Sequence, residues 1–156
     1  MKAISLKDIK QELNHLSPNE LQEICLRLSR FKKENKELLS YLLFHSSDEQ
    51  AYVESIKRLM DDGFATINRN SFFYIRKSIR KILTQTKKHI RYSQKKETEV
   101  ELLLYFCEKM KAFTPSIKNS LQLENLYKRQ IILIKKIVAS LHEDLQYDYN
   151  LAIEDL

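Results

Sequence analysis

Cationic side chains are the clearest chemical feature of this sequence, and they are concentrated in one segment. Between Asp62 and Glu97 lie 34 residues without a carboxylate, and ten of them are Lys or Arg. The flanking segments are slightly acidic, so the overall charge of +6 arises locally. Positive charge gathered on one element can hold a polyanion or an acidic partner. The ten cations are Arg69, Arg76, Lys77, Arg80, Lys81, Lys87, Lys88, Arg91, Lys95 and Lys96.

Most of these cations fall in one predicted amphipathic helix at about residues 72–93. Its apolar residues occupy one arc and its cations another, with aromatic side chains among the cations and at their edge. Aromatic rings can stack on unpaired bases while cations neutralise phosphates, so the pattern suits RNA or single-stranded DNA. The candidate polyanion-binding residues are Arg76, Lys77, Arg80, Lys81, Lys87, Lys88, Arg91, Phe73 and Tyr92.

Two other interpretations of the basic helix stay open. Carboxylates at 61–62 and 97–101 would lie beside the cations if the neighbouring helices pack antiparallel, leaving a solvated or partly neutralised face. Surface ion pairs contribute only about 0–1 kcal/mol each, so such pairing would matter mainly for the remaining potential. The ligand could also be an acidic protein or an anionic membrane surface.

A second, smaller basic cluster follows in the last predicted long helix. Lys128 and Arg129 recur seven residues later as Lys135 and Lys136, with Ile132 between them on the outward side. This cluster either joins the first into one groove or, through Ile132, provides a partner-helix or self-association surface.

Catalytic and metal-binding patterns are sparse. A single glycine, Gly63, leaves no room for a nucleophile elbow, a phosphate-binding loop or a dinucleotide fingerprint. The only ExxH begins at Glu12, whereas a di-iron bundle needs two such pairs and two further carboxylates. We therefore predict no enzyme, no cofactor, no metal site and no small-molecule substrate. The weaker candidates are the set Cys25, His45 and Cys107 and the acidic set Glu99, Glu101 and Glu108.

The elements that must position these residues are predicted to be helices alone. One Gly and two Pro are too few for hairpins and sandwich corners, while Leu, Ile, Lys, Glu and Gln favour helices. At 156 residues, the chain fits a single all-α domain, 1–156, of six to seven helices in a compact bundle or a short HEAT-like stack of helical hairpins. A candidate hinge lies near 63–70, and the tail 148–156 is predicted to fray.

Start and stop signals place the helices. Predicted spans are 5–15, 18–30, one from 33–35, one from 46–49 to Gly63, then 72–93, 97–113 and a last helix that follows Thr114-Pro115 to about 147. Gly63 is predicted to end its helix in the left-handed conformation. The third helix is apolar nearly all round, which predicts a central position.

The cellular location is inferred from the charged N-terminus and the short apolar runs. The N-terminus is charged from the start, and no apolar stretch approaches the roughly 20 residues that span a bilayer. We expect a cytoplasmic protein without a membrane span. Cys25 and Cys107, neither of them in a CxxC motif, are predicted to be buried as small apolar side chains.

Three stretches of the chain give it a family resemblance: residues 6–10 with 16–21, the basic helix, and residues 101–108. They read Leu6-Lys7-Asp8-Ile9-Lys10, Leu16-Ser17-Pro18-Asn19-Glu20-Leu21 and Glu101-Leu102-Leu103-Leu104-Tyr105-Phe106-Cys107-Glu108. Together they resemble a family of small all-helical bacterial proteins known only as a domain of unknown function. The resemblance implies helical architecture and assigns no site residues. The predicted function is a helical binding or scaffolding module with a protein partner or self-association, and the alternative is RNA or single-stranded DNA binding.

Overall fold

Helices form the secondary structure of residues 2–156, which are the residues that the computed structural model describes. No strand occurs in this range, so the predicted all-α class is confirmed. Eight α-helices are present in it rather than six or seven. They are α1 (Leu6–Leu13), α2 (Pro18–Phe31), α3 (Lys33–Ser40), α4 (Glu49–Ala65), α5 (Phe72–Ser93), α6 (Lys96–Ala112), α7 (Leu121–Val138) and α8 (Glu143–Glu154), with a π-turn at Tyr41–His45 and a 3-10 turn at Ile117–Asn119.

The chain divides into two compact units. Residues up to Phe44 form an N-terminal unit that contains α1, α2 and α3, and His45–Leu156 form a C-terminal unit that contains α4 to α8. In the N-terminal unit, α2 packs on α3. Within residues 2–156, no helix has both the length and the apolar composition that crossing a bilayer demands.

Side-chain caps define several helix starts where the sequence predicts them. The hydroxyl of Ser17 accepts a hydrogen bond from the Glu20 backbone amide at 3.3 Å, and the Glu20 carboxylate accepts one from the Ser17 amide at 2.7 Å. This reciprocal capping satisfies two amides that have no partner inside α2. Asp48 caps α4 by accepting from the Ala51 amide at 3.0 Å. The bounds of α5 coincide with the predicted 72–93.

Gly63 does not end α4, so this prediction was wrong. The helix continues to Ala65, and no glycine in residues 2–156 has a positive φ. The glycine instead permits a close approach of α4 and α5, because a Cβ at this position would lie 3.1 Å from Cγ1 and 3.2 Å from Cδ1 of Ile82. Contacts below about 3.4 Å force the neighbouring side chain to move. Gly63, which the sequence suggested as a C-terminal cap, is therefore the residue at which α4 and α5 approach each other.

The effect of Gly63→Ala on stability should depend on whether residue 82 is isoleucine or alanine. Alanine in a helix interior is favoured over glycine by about 1 kcal/mol, but the close contact with Ile82 offsets that gain. We expect Gly63→Ala to change the free energy of unfolding little in the wild-type background and to stabilise an Ile82→Ala background by about 0.5–1 kcal/mol. Urea unfolding of the four proteins in this cycle measures the difference. Equal effects in both backgrounds would show that Ile82 does not limit the position.

The central helix is α6, not the third helix as predicted. Its side chains at Val100, Leu102, Leu103, Phe106 and Met110 have no exposed area. A helix that is apolar on all sides needs neighbours on all sides, and α6 packs against α4, α5 and α7. By contrast, no residue of α3 is buried. Helices that surround one member also differ from a HEAT-like stack, in which each helical pair contacts only the next, so that alternative is not supported.

The C-terminal third differs most from the expected single long helix. The peptide bond between Thr114 and Pro115 is cis, and a 3-10 turn separates Pro115 from the start of α7. After Val138 the chain turns, and His142 precedes α8. The predicted frayed tail is helical up to Glu154, and Ile153 within it is 8% exposed. Burial of Ile153 explains this order, because an apolar side chain that packs fixes the helix that carries it.

Candidate functional site

Hydrogen bonds between helices fix the direction in which the basic helix runs. The Tyr52 hydroxyl of α4 donates to the His89 carbonyl near the end of α5 at 3.1 Å, which makes α4 and α5 antiparallel. Lys96 at the start of α6 bonds Ser140, just beyond α7, at 3.0 Å, so α6 and α7 are also antiparallel. Because α5 and α6 are joined by two residues and pack on each other, α5 and α7 run in the same direction on either side of α6.

A groove lies between α5 and α7, and it brings the two predicted basic clusters together. It consists of two adjoining depressions of about 430 and 390 Å³, and Arg80 and Gln122 line both. We call this feature the α5–α7 groove. One half is completed by residues of α5 and the other by residues of α7. The full lining is Phe73, Arg76, Lys77, Arg80, Gln122, Asn125, Lys128 and Arg129.

Two of the acids that might have neutralised the basic helix pair with other cations, and the remaining three, Asp62, Glu97 and Glu99, form no ion pair among residues 2–156. Asp61 binds Lys109 of α6 at 2.8 Å, and Glu101 of α6 binds Lys57 of α4 at 2.7 Å. These pairs lie between α4 and α6, away from the α5–α7 groove. Among residues 2–156, the α5 cations Arg76, Lys77, Arg80, Lys81, Lys87 and Arg91 form no ion pair with a carboxylate.

The candidate residues on α5 divide between two faces. Helical periodicity places Lys87 and Arg91 on the side that also carries Arg80, so the cationic stripe continues beyond the α5–α7 groove. Lys81 instead lines a separate cavity of about 470 Å³ between α4 and α5. Tyr92 contacts the ring of His89, which lines that same cavity, at a centroid distance of 5.7 Å.

The remaining two members of the set differ in how open they are. Lys88 is half-buried and engaged with a neighbouring group, so it is not counted among the open cations. Phe73 is 62% exposed and makes an edge-on contact with Tyr74 at 5.4 Å. Of the two predicted stacking residues, Phe73 rather than Tyr92 therefore lines the groove.

On α7, the second basic cluster lies beside the groove. Lys128 pairs with Glu124 at 2.8 Å within the helix, which lowers the pKa of Glu124 and leaves the Lys128 side chain 62% exposed. Lys135 and Lys136 are exposed. Ile132, 67% exposed, shares its helical arc with Arg129 and Lys136. The apolar residue that the sequence singled out as a separate association surface thus lies on the same face of α7 as Arg129, which lines the groove.

Sequence reasoning missed two residues of the groove. Gln122 and Asn125 are exposed amides on the first turns of α7, and each offers two donors and one acceptor group. Isolated amides in a helical segment carry no recognisable pattern. Only their spacing from cations of α7 could have indicated them, since Asn125 lies four residues and Gln122 seven residues before Arg129.

Asp61, Tyr105 and Lys109 form a polar cluster between α4 and α6. The Tyr105 hydroxyl donates to Asp61 at 2.7 Å, and Lys109 lies 2.8 Å from the same carboxylate. The hydrogen bond from Lys109, supported by that from Tyr105, lowers the pKa of Asp61. Burial, with the nearby Asp61 charge, raises the pKa of Tyr105 to about 12. The cluster fastens two helices and does not face the groove.

This cluster predicts a loss of stability in alkali. Above pH 10 the unfolded chain loses the Tyr105 proton while the folded state keeps it until about pH 12, so stability falls as the pH rises. The free energy of unfolding should drop less steeply above pH 10 in Tyr105→Phe, which has no proton to lose. Denaturant titrations at several pH values between 8 and 11.5 measure both slopes. Identical slopes would mean that Tyr105 titrates normally in the folded protein.

The weaker catalytic candidates are dispersed. Cys107 is buried, and burial raises the pKa of its thiol to about 12, whereas Cys25 is exposed and lies in the other unit. The prediction that both cysteines are buried is therefore half wrong. Glu101 is engaged with Lys57, and Glu108 is exposed. Within residues 2–156, no group of three or more His, Cys, Asp or Glu side chains is arranged to hold a metal ion.

Fold and site together define an all-helical protein with an exposed cationic groove between two parallel helices. Comparison of the chain with protein-family models, curated proteins and solved structures found no match. The family resemblance drawn from residues 6–21 and 101–108 stays a prediction.

Proposed function

We propose that this protein is a helical binding module, without catalytic activity, that holds single-stranded nucleic acid in the α5–α7 groove. The observation that carries the proposal is the division of charge in the C-terminal unit. Glu49, Glu54 and Asp61 of α4 and Glu101 of α6 are matched with Lys57, Lys95 and Lys109. The cations of α5 that line the groove are matched with none among residues 2–156. Phosphates release counterions when they meet such cations, and this release drives binding.

The shape of the groove favours a single strand over a duplex. The cations lie on both walls of a concavity, so a phosphodiester backbone can be contacted from two sides, whereas a duplex reader presents a protruding element to a DNA groove. Phe73 lies at one end, exposed and beside Arg76 and Lys77. A base stacked on such a ring contributes about 1–3 kcal/mol whatever its identity. Gln122 and Asn125 can bond base edges that an unpaired strand exposes.

Binding should weaken steeply with salt. If about four phosphates are contacted, the logarithm of the association constant falls with a slope near −3 against the logarithm of the salt concentration, which is about a 50-fold loss between 50 and 200 mM. Fluorescence anisotropy with labelled 16-nucleotide RNA, single-stranded DNA and duplex DNA measures this slope. Comparing the RNA with the DNA of the same sequence shows whether the 2′-hydroxyl is read.

Two results would overturn the proposal. One is the absence of binding to both single strands at 50 mM salt. The other is tighter binding to vesicles of anionic lipid, or to an acidic peptide of the same charge, than to either strand. In that case the same cations serve a membrane surface or a protein, and the stacking position of Phe73 is incidental.

A further inference from the structure

The N-terminal unit has almost no core of its own, since Tyr41 is the one buried residue among residues 2–44. None of α1, α2 or α3 contains a buried residue. Eleven of the eighteen exposed large apolar side chains in residues 2–156 lie before His45, although that part is less than a third of the chain. They are Ile4, Leu6, Ile9, Ile24, Leu26, Leu28, Phe31, Leu38, Leu42, Leu43 and Phe44.

Helices of this kind are not stable by themselves. Isolated helices shorter than about 12–15 residues are marginal in water, and most helical stability in proteins comes from burying an apolar face. α1 and α3 have eight residues each, and α2 has fourteen. Exposed large apolar side chains concentrated in one part of a chain are typical of an interaction site. The apolar faces of the N-terminal unit therefore require a surface that covers them.

The exposed stripe on α2 is flanked by charges that change sign along the helix. Ile24, Leu28 and Phe31 are 38, 55 and 78% exposed and share one arc at spacings of four and three residues. Beside this stripe, Glu23 lies in the first half of the helix, and Arg27 and Arg30 lie in the second. Glu23 and Arg27 are four residues apart, a spacing that allows an ion pair, yet they form none among residues 2–156.

We propose that the N-terminal unit is a homodimerisation arm, in which α2 packs antiparallel against α2 of a second copy of this chain. A two-fold axis near the middle of α2 sets Ile24 of each copy against Leu28 of the other. Glu23 of each copy then comes within one helical turn of Arg27 and Arg30 of the other, so every charge meets its opposite. A parallel pairing would instead place the charged flanks of the two copies on opposite sides of the interface, where these charges could not pair.

Self-complementarity is what selects a second copy as the occupant. An isologous interface must match its own surface after a two-fold rotation. Along α2 an acidic residue, an apolar centre and basic residues follow one another, and this order is self-complementary when the helix is reversed. The apolar run that follows α3, Leu42 to Phe44, is exposed in one chain and gains neighbours when a second set of three helices is present. The second copy therefore explains why the segment from Leu38 to Phe44, whose apolar pattern predicts a central position, is exposed in the single chain.

Charge exchange between copies tests the arm. In the full chain, Glu23→Arg alone and Arg27→Glu alone each place like charges across the axis, and each should weaken self-association about tenfold or more. An equimolar mixture of the two variants should recover a dimer, because the acidic helix now faces the basic one. Sedimentation velocity over a range of concentrations measures the mass. Arg58→Glu is the matched control, since Arg58 is an exposed cation of the C-terminal unit without an ion pair.

A wild-type protein that is monomeric at all concentrations would overturn the proposal. So would a dimer that both single reversals leave intact, or two weakened variants whose mixture stays monomeric, because a different surface or orientation would then hold the copies together. Far-ultraviolet circular dichroism follows the helices of the arm. Because α1, α2 and α3 depend on the covering surface, each single variant should lose helix content with the dimer, and the mixture should regain both.

Discussion

Reversing the charge of Arg80 is expected to weaken binding of single-stranded RNA or DNA about tenfold or more at 100 mM salt. Arg80 lines both halves of the α5–α7 groove, so a strand in either half would meet it. The substitution Arg80→Glu removes one phosphate contact and adds a repulsive charge at the centre of the groove. The salt slope should fall in magnitude by about one unit for the lost contact.

The neighbouring residue in the sequence provides the control. Lys81 carries the same charge and is likewise exposed without an ion pair, but it lines the cavity on the α4 side. Lys81→Glu therefore changes the net charge of the protein by the same amount at a position about 100° around α5 from Arg80 that does not line the groove. A charge that does not contact the strand acts only through solvent, where 0.1 M salt screens it over about 10 Å, so Lys81→Glu should weaken binding less than Arg80→Glu.

Anisotropy titrations of the wild type and both variants, on one oligonucleotide at three salt concentrations, separate two causes. If Lys81→Glu and Arg80→Glu weaken binding equally at every salt concentration, the strand responds to net charge and the α5–α7 groove is not its site. A loss that is confined to Arg80→Glu and persists at 200 mM salt identifies a local contact. Unfolding curves for both variants check that neither loss is a loss of fold.

The basic helix itself could be predicted from the sequence to the residue, but the groove could not. The bounds 72–93 follow from a serine at position 71, a residue type common at helix starts, and from a periodic apolar arc, both of which are local signals, although the Ser71 hydroxyl makes no capping hydrogen bond. The groove depends on α7 lying parallel to α5 across α6, which local patterns do not encode. Its amides at Gln122 and Asn125 come from a helix whose start was misplaced, because Pro115 precedes a 3-10 turn rather than α7.

Burial was predicted correctly for helices that other helices of the same chain surround, and wrongly for helices that lack such neighbours. The same apolar composition on all sides describes α6 and the segment from Leu38 to Phe44. Three neighbouring helices cover α6, whereas four of the large apolar side chains of the other segment are exposed. Gln130 shows the converse, because it is 4% exposed on α7 although its type predicts a surface position. Amino-acid composition indicates that an apolar helix face must be covered. It does not indicate whether the same chain or another chain covers it.

Two phenylalanines should separate stability from binding. Phe106 on the central helix has no exposed area and contacts the ring of Phe64 at a centroid distance of 5.8 Å. Phe106→Ala should lower the free energy of unfolding by about 3–5 kcal/mol. The substitution removes buried contacts and leaves a cavity that the surrounding helices can fill only in part. Phe73→Ala, at a site that is 62% exposed, should change it by no more than about 0.5 kcal/mol.

The order of effects reverses for nucleic acid. Phe73→Ala should weaken binding of a single strand about tenfold by removing a stacking surface, with the salt slope unchanged because no phosphate contact is lost. Phe106→Ala should leave the affinity of the folded fraction close to that of the wild type, since Phe106 does not line the groove. Urea unfolding and anisotropy on the same preparations measure both quantities. If Phe73→Ala binds as tightly as the wild type, the strand is held through its phosphates alone, and the groove would serve any flexible polyanion equally well.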